Sequence, residues 1–324
     1  MLILAIDVLA LRPPAFSFFE RKLLEQPDIM RSIAVEADAA NFRTMDLSVI
    51  SSSMVILSPA DPSLAQAYRR LLQALSPFPT AMLWQVPSIN GVTGLPLARR
   101  VLLDPVLLSE TIGSETNRPG LRLMDILGIR YISADGLFPT AGLNVFWQDL
   151  PQHLFIYRNA YAKPRFQVYW DARIVDTAEQ ALAGLRAAQS ETLFVEQIRG
   201  TTPAQLAECQ GCAPSKPAIE IVEARAMRYR VNVDMPREGW LFLADANYPG
   251  WQATVNGVRQ PVYSAQVLGK AVRLPAGRNA VTIRYVPWSF YIGAALSGLT
   301  LVLVLFILLW HPVRQFRARS ARKA

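Results

Sequence analysis

Residues 228–235 read RYRVNVDM, and this short stretch decides the fold of the second half of the chain. Tyr229, Val231 and Val233 alternate with Arg228, Arg230, Asn232 and Asp234. Successive side chains of a strand point to opposite faces, so a period of two marks a half-buried β-strand. The segments that follow repeat the theme. Another strand begins at Trp240, Pro249-Gly250 marks a turn, and Asn256-Gly257 is the dipeptide favoured in two-residue hairpins, whose central positions need φ > 0. That hairpin is expected to join the strand after Trp251 to one containing Val262. Ala276-Gly277 then separates Val272 and Leu274 from the alternating Val281, Ile283 and Tyr285. Short strands at this spacing, with turns between them, predict a small antiparallel β-sandwich over residues 219–287.

Directly after the last strand the chain changes character. Between Tyr285 and Trp310 there is no Asp, Glu, Lys or Arg, and residues 290–310 form a 21-residue apolar run, FYIGAALSGLTLVLVLFILLW. At about 1.5 Å per residue a helix of that length covers the roughly 30 Å hydrocarbon core of a bilayer. Trp288, Tyr291 and Trp310 suit the two interfaces, where amphipathic rings settle. A transmembrane helix is therefore predicted over residues 288–310, with the lipid bilayer as a partner of the chain. The tail, residues 311–324, carries Arg314, Arg317, Arg319, Arg322 and Lys323 and no acid, which argues for a cytoplasmic C-terminus. Lys270, Arg273, Arg278 and Arg284 precede the helix, so the asymmetry is five against four.

Upstream, residues 1–210 mix helical and extended patterns. Asp61-Pro62 sets an N-cap and an N1 proline before Leu64, Tyr68, Leu71, Leu72 and Leu75, which share one helical face. Leu121–Leu127 followed by Gly128 reads as a short helix with a glycine C-cap, leading into a strand over Ile129–Ser133. A third helix starts near Asp176 or Thr177, where Glu179 or Gln180 can complete a capping box, and runs through Leu182 and Leu185. The Pro-rich and Gly-containing text TTPAQLAECQGCAPSKPA at 201–218 reads as a loop, with a linker assigned to 211–218. The predicted fold class is α+β: a mixed α/β domain over 1–210, the linker, the sandwich, one membrane helix and a basic tail. The opening MLILAIDVLALR is interrupted by Asp7 and lacks both a basic n-region and a cleavage site, so it reads as neither signal peptide nor span. The expectation is that membrane helices able to start export precede this sequence.

With 324 residues, 52% of them hydrophobic, the chain can fill more than one core. Its net charge is +8, but the tail holds five of the 33 Lys and Arg and none of the 25 acids. The remainder is close to balance. A nucleic-acid interface, which needs a basic face interleaved with aromatics, is not indicated.

Four segments together resemble the YfhO family of bacterial membrane proteins. NYPGWQATVNGVRQPVYSA at 247–265 and KAVRLPAGRNAVTIRYVPWSFYIGAALSG at 270–298 look like the end of that family, and LRLMDILGIRYIS at 121–133 and FIYRNAYAKPRF at 155–166 resemble two of its upstream strands. The likeness covers most of residues 40–300. It implies similarity to GT-C glycosyltransferases, polytopic enzymes that use lipid-linked sugar donors on the outer membrane face, and hence a role in cell-envelope polysaccharide or teichoic-acid glycosylation. Lipid-linked sugar or glycan and other membrane glycosyltransferase components are the partners implied. The large domain would lie outside and the tail inside. The family's catalytic acid lies in an early loop that this chain does not match, so no catalytic residue carries over. The expectation is a non-catalytic extracytoplasmic portion of such a protein.

The residues themselves offer several candidate sites. Cys209 and Cys212 are the only cysteines and form a Cys-x-x-Cys that can close as a local disulfide; a thiol-disulfide oxidoreductase built on them is the enzyme-class alternative. His153 and His311 are the only histidines and lie far apart in the sequence, which argues against a structural metal. Tyr248 and Trp251 flank the Pro-Gly turn and are the pair most suited to stack on a sugar, although aromatics fill small cores just as readily. A membrane-anchored carbohydrate-binding module is the binding-class alternative. Arg130 and Arg165, in strand-like segments, suit either an anion clamp or internal ion pairs. No phosphate loop, dinucleotide fingerprint or nucleophile elbow occurs, no cofactor is implied, and no acid-base pair is assigned.

Overall fold

The structure, a computed structural model, describes residues 33, 41–46, 87–89, 98–112, 119–134, 142–149, 154–188, 191–198 and 217–321. The helix expected after Asp61-Pro62 and the segment at 1–12 lie outside these residues.

The first unit is a four-stranded sheet of β1 (Arg43–Asp46), β2 (Ile129–Ala134), β3 (Leu143–Asp149) and β4 (Leu154–Asn159), in the order β1-β2-β4-β3. Two helices, α1 (Ala98–Ile112) and α2 (Pro119–Ile126), send Leu103, Leu107, Leu123 and Met124 into one core with Ile129 and Ile132. The turn from α2 into β2 is the glycine-capped one expected: Gly128 sits at φ +73°, a conformation that costs a glycine little. Of the mixed domain expected over 1–210, these elements and those of the next sheet are what the structure describes.

The chain continues through β5 (Phe166–Tyr169), β6 (Ala172–Val175), α3 (Ala178–Ala187), β7 (Leu193–Glu196), β8 (Ala218–Arg225), β9 (Arg228–Met235), β10 (Gly239–Leu243), β11 (Trp251–Val255), β12 (Val258–Gln260), β13 (Tyr263–Ala265), β14 (Gly269–Leu274) and β15 (Gly277–Tyr285). Thr177 caps α3 as read, its hydroxyl accepting from the Gln180 amide, and the Gln180 side chain reaches back one residue beyond the cap, accepting from the Asp176 amide at 2.9 Å. Leu182 and Leu185 are buried.

Two sheets make the sandwich. The five-stranded one has the order β12-β11-β15-β9-β8, with every neighbouring pair antiparallel. In β9 the alternation is complete, with Tyr229, Val231, Val233 and Met235 inward and Arg228, Arg230, Asn232 and Asp234 outward. The six-stranded sheet has the order β5-β10-β14-β13-β7-β6. Leu241, Leu243, Val272 and Leu274 face the five-stranded sheet, while Trp240, Phe242 and Tyr263 join the other core with α3. β10 is consequently buried on both faces.

Two expectations need correction. The sandwich is not built from 219–287 alone, because β5, β6 and β7 from before the expected linker share a sheet with β10, β13 and β14 from after it. Residues 211–218 therefore do not separate two independent sheets; strand pairing over such distances leaves no local mark in the sequence. The Asn256-Gly257 hairpin is present, with φ of 51° and 83°, but it joins β11 to β12, and Val262 lies in neither β12 nor β13. Pro261 lacks the N–H that a ladder needs, and at Pro261-Val262 the chain crosses from one sheet to the other.

From β15 the chain passes through Val286-Pro287 into α4 (Trp288–Ala321), 34 residues long. The backbone stays helical past the expected end at 310 and on into the basic tail. Within α4, Trp288–Phe306 has a mean hydropathy of 2.0 and no buried residue, and it is the one helix among the described residues long and apolar enough to cross a membrane.

Candidate functional site

Among the described residues a dense group of ionisable side chains surrounds Asp245, where all three sheets meet. β10 ends at Leu243, and the backbone then turns tightly, with Asp245 N–H donating to Leu243 O at 2.7 Å and Ala244 N–H to Arg165 O at 2.9 Å. This points the Asp245 carboxylate into the junction. Arg43, carried by β1, donates from Nη2 to Oδ1. Tyr229, carried by β9, donates from Oη to Oδ2 at 2.5 Å, and Arg165 donates from Nη2 to that same phenol oxygen at 3.2 Å. Arg165 Nη2 and Lys270 Nζ each lie 3.7 Å from Oδ2. The Lys270 ammonium, 3.6 Å from the centroid of the Trp251 ring, makes a cation–π contact as well.

Three cations thus share one carboxylate: Lys270 is 0% exposed and Arg43 and Arg165 6% each, while the Asp245 side chain keeps 21% of its surface exposed. Burial works to raise the Asp245 carboxyl, but Arg43, Lys270 and Arg165 outweigh it and hold it far below the usual carboxylate range. Burial pushes the Lys270 ammonium down from 10.5 to about 7; Asp245 opposes this, and the two arginines add to it. Tyr229 moves upward, first through burial and then through Asp245. An amine close to neutrality is a base or nucleophile in principle. Here it is enclosed beneath Trp251 with no exposed surface, so the group acts as an electrostatic clamp between β1, the six-stranded sheet and the five-stranded sheet.

The structure distributes the candidate residues differently from the sequence expectations. Arg165 joins the clamp, where Asp245 and Tyr229 face it, while the Arg130 guanidinium covers the Phe42 ring, 3.1 Å from its centroid. Trp251 is 9% exposed and stacks on Tyr229, with ring centroids 5.8 Å apart. Tyr248 is half-buried, edge-on to Trp251 at 6.0 Å and to Tyr285 at 5.0 Å. The pair suited to sugar stacking is thus part of an aromatic core at the end of the sandwich next to α4. Cys209, Cys212 and His153 lie outside the described residues, as does the side chain of His311. Among the described residues no group of three or more His, Cys, Asp or Glu is placed to hold a metal.

Sequence reasoning misses Arg43, Tyr229, Asp245 and Lys270 as a group. One signal is present: in GKAVRL at 269–274, strand alternation puts Lys270 on the face of Val272 and Leu274. A lysine on an apolar face needs a partner. A concavity of about 490 Å³ lies on the outward face of the five-stranded sheet between Glu220, Asn232, Asp234 and Arg278, over the small side chains of Ala218 and Ala280. The amide of Asn256 at its rim is spent internally, accepting from Ala280 N–H at 2.8 Å and donating to Asn279 at 3.2 Å.

Residues 210–297 match the family model described as Bacterial membrane protein YfhO. The match confirms, over the five-stranded sheet, the later strands of the six-stranded sheet and the start of α4, the resemblance read from the sequence. No curated protein and no solved structure matches the chain.

Proposed function

We propose, taking that family match as the premise, that the chain is the membrane-anchored, non-catalytic extracytoplasmic portion of a glycosyltransferase-like membrane protein that serves cell-envelope polysaccharide or teichoic-acid glycosylation. The observation that carries the anchoring is α4. It leaves the last strand of the sandwich after two residues, and every side chain from Trp288 to Phe306 is exposed, including Trp288 at 65%, Phe290 at 67% and Leu299 at 68%. A helix apolar on all sides and packed against nothing among the described residues fits hydrocarbon and not water. The basic tail after it supports an inside C-terminus, which puts the sheets outside.

The non-catalytic assignment is supported by the state of Asp245. Its two oxygens are bonded to Arg43 and Tyr229, so it is not poised to exchange a proton with a substrate. The glycosylation process and its lipid-linked sugar come from the resemblance. Protease protection and cysteine labelling in intact cells test the topology. A deletion strain tests the process, with envelope glycans compared by mass spectrometry and restored by the full gene. An outward-facing tail, unchanged glycans, or sugar transfer from a polyprenyl-phosphate donor by the purified chain alone each overturn the corresponding part.

A further inference from the structure

The outward face of the five-stranded sheet ends, beside α4, in a row of arginines. Arg225 of β8 is paired across the ladder with Arg228 of β9, and Arg228 with Arg284 of β15. Directly paired residues project from the same face about 5 Å apart, and like charges in that position destabilise a sheet. Among the described residues the acid paired with this row is Glu223, 15% exposed and shared by Arg230 at 2.8 Å, Arg225 at 3.5 Å and Arg228 at 3.6 Å. Arg284 forms no ion pair among the described residues. Four guanidiniums against one carboxylate leave a concentrated positive charge at this edge, whereas the opposite end of the same strands pairs Arg278 with Asp234.

Position gives the row its partner. The β8–β9 turn places Met227, 64% exposed, beyond the row, and Tyr285 N–H donates to Met227 O at 2.9 Å, so the turn adjoins the start of α4. Arg284 precedes Trp288 by four residues, a span of at most about 14 Å. The polar layer on each side of a bilayer is roughly 5–7 Å deep, and an arginine side chain reaches across a comparable distance. With Trp288 and Tyr291 at the interface, the row therefore lies at the depth of the lipid phosphates, for which guanidinium geometry is suited.

We propose that Arg225, Arg228 and Arg284, with Met227 beside them, form a lipid-docking surface that seats this end of the sheet on the anionic phosphates of the bilayer that α4 enters. This rests on α4 being a membrane span. Docking gives the sandwich a fixed tilt on the membrane in place of free rotation about Val286-Pro287.

The test uses the full chain with Cys209 and Cys212 replaced by Ser and Met227→Cys carrying an environment-sensitive fluorophore, reconstituted into phosphatidylcholine vesicles with or without phosphatidylglycerol. Quenching by headgroup-labelled lipid reads the contact. The expected result is stronger quenching with phosphatidylglycerol, reversed by high salt, with the docked-to-undocked ratio falling about fivefold for each of Arg228→Gln and Arg284→Gln and unchanged in Arg278→Gln. Equal quenching in the two vesicle types, or an Arg278→Gln effect as large as that of Arg284→Gln, overturns the docking surface. Alkaline carbonate extraction separates the two levels: a chain that is extracted sinks the anchoring and the docking together, and one that is retained with unchanged quenching sinks the docking alone.

Discussion

Replacing Lys270 by Met should stabilise the protein at pH 6. Lys270 is fully buried, and its ammonium is one of three cations around a single carboxylate. A depression from 10.5 to about 7 means that below pH 7 the folded state carries a charge it disfavours, at about 1.4 kcal/mol per pH unit or up to about 5 kcal/mol in all. The cation–π contact with Trp251 offsets about 2 kcal/mol of this. Asp245 keeps Arg43 and the Tyr229 hydroxyl, so the substitution leaves no stranded anion. Methionine fills most of the lysine volume, and the net gain should be about 2–3 kcal/mol at pH 6, or roughly 3–4 °C in Tm for a chain of this length. The sign reverses toward alkali. Between pH 7 and 10.5 the unfolded state binds the proton and the folded state does not, so wild-type stability rises by about 4 kcal/mol between pH 6 and 10, and at pH 10 the wild type should be the more stable by about 1–2 kcal/mol. Thermal unfolding of the detergent-solubilised full chain at the two pH values measures both. A Lys270→Met variant less stable than wild type at pH 6, or a difference that does not change between pH 6 and 10, refutes the account of the clamp.

The other side of the clamp should respond oppositely. Asp245→Asn leaves Arg43 and Arg165 buried around a neutral amide, with Lys270 pushed further toward its neutral form, and should cost about 3–5 kcal/mol at pH 7; because the folded-state carboxyl is depressed, the loss should shrink only as pH falls below about 4, which unfolding at pH 7 and pH 3 checks. Gly257→Val should cost about 1–2 kcal/mol by conformation alone, since Gly257 sits at φ +83° with nothing within 4 Å of an added Cβ; an unchanged Tm would remove the hairpin strain argument. Trp251→Ala should cost about 3–5 kcal/mol and half-buried Tyr248→Ala clearly less, and equal small effects would return the pair to the surface.

What can be read from the sequence is what the backbone decides locally. The alternation in RYRVNVDM, the Asn256-Gly257 turn, the Gly128 cap and the Thr177 cap each depend on residues within one turn or two strands, and each is found at its expected position. The apolar run is legible for the same reason, because a span needs only length and the absence of charge. Sheet membership is not legible. β10 looks like its neighbours in sequence, but it is the strand that joins β5, from the far side of 211–218, to β14. That choice is made by which faces can be buried together, a property of the assembled layers.

The same limit separates the two arginine groups. Arg165 stands out because a charge in a strand-like segment needs a partner, yet its partner Asp245 lies 80 positions away, in a loop where an aspartate attracts no notice. Strand alternation places Lys270 among apolar neighbours, so one half of the clamp can be inferred from sequence and the other half cannot. The row Arg225, Arg228 and Arg284 is the converse case. Each is an ordinary outward residue of an amphipathic strand, and only the register that sets them side by side turns three solvated charges into a surface with something to bind. In both groups the informative fact is an imbalance of charge. In the interior, three cations crowd one carboxylate and burial pushes Lys270 to give up its proton near neutrality; at the α4 end of the sheet the excess positive charge is open to the outside, where the proposed docking gives it an anion.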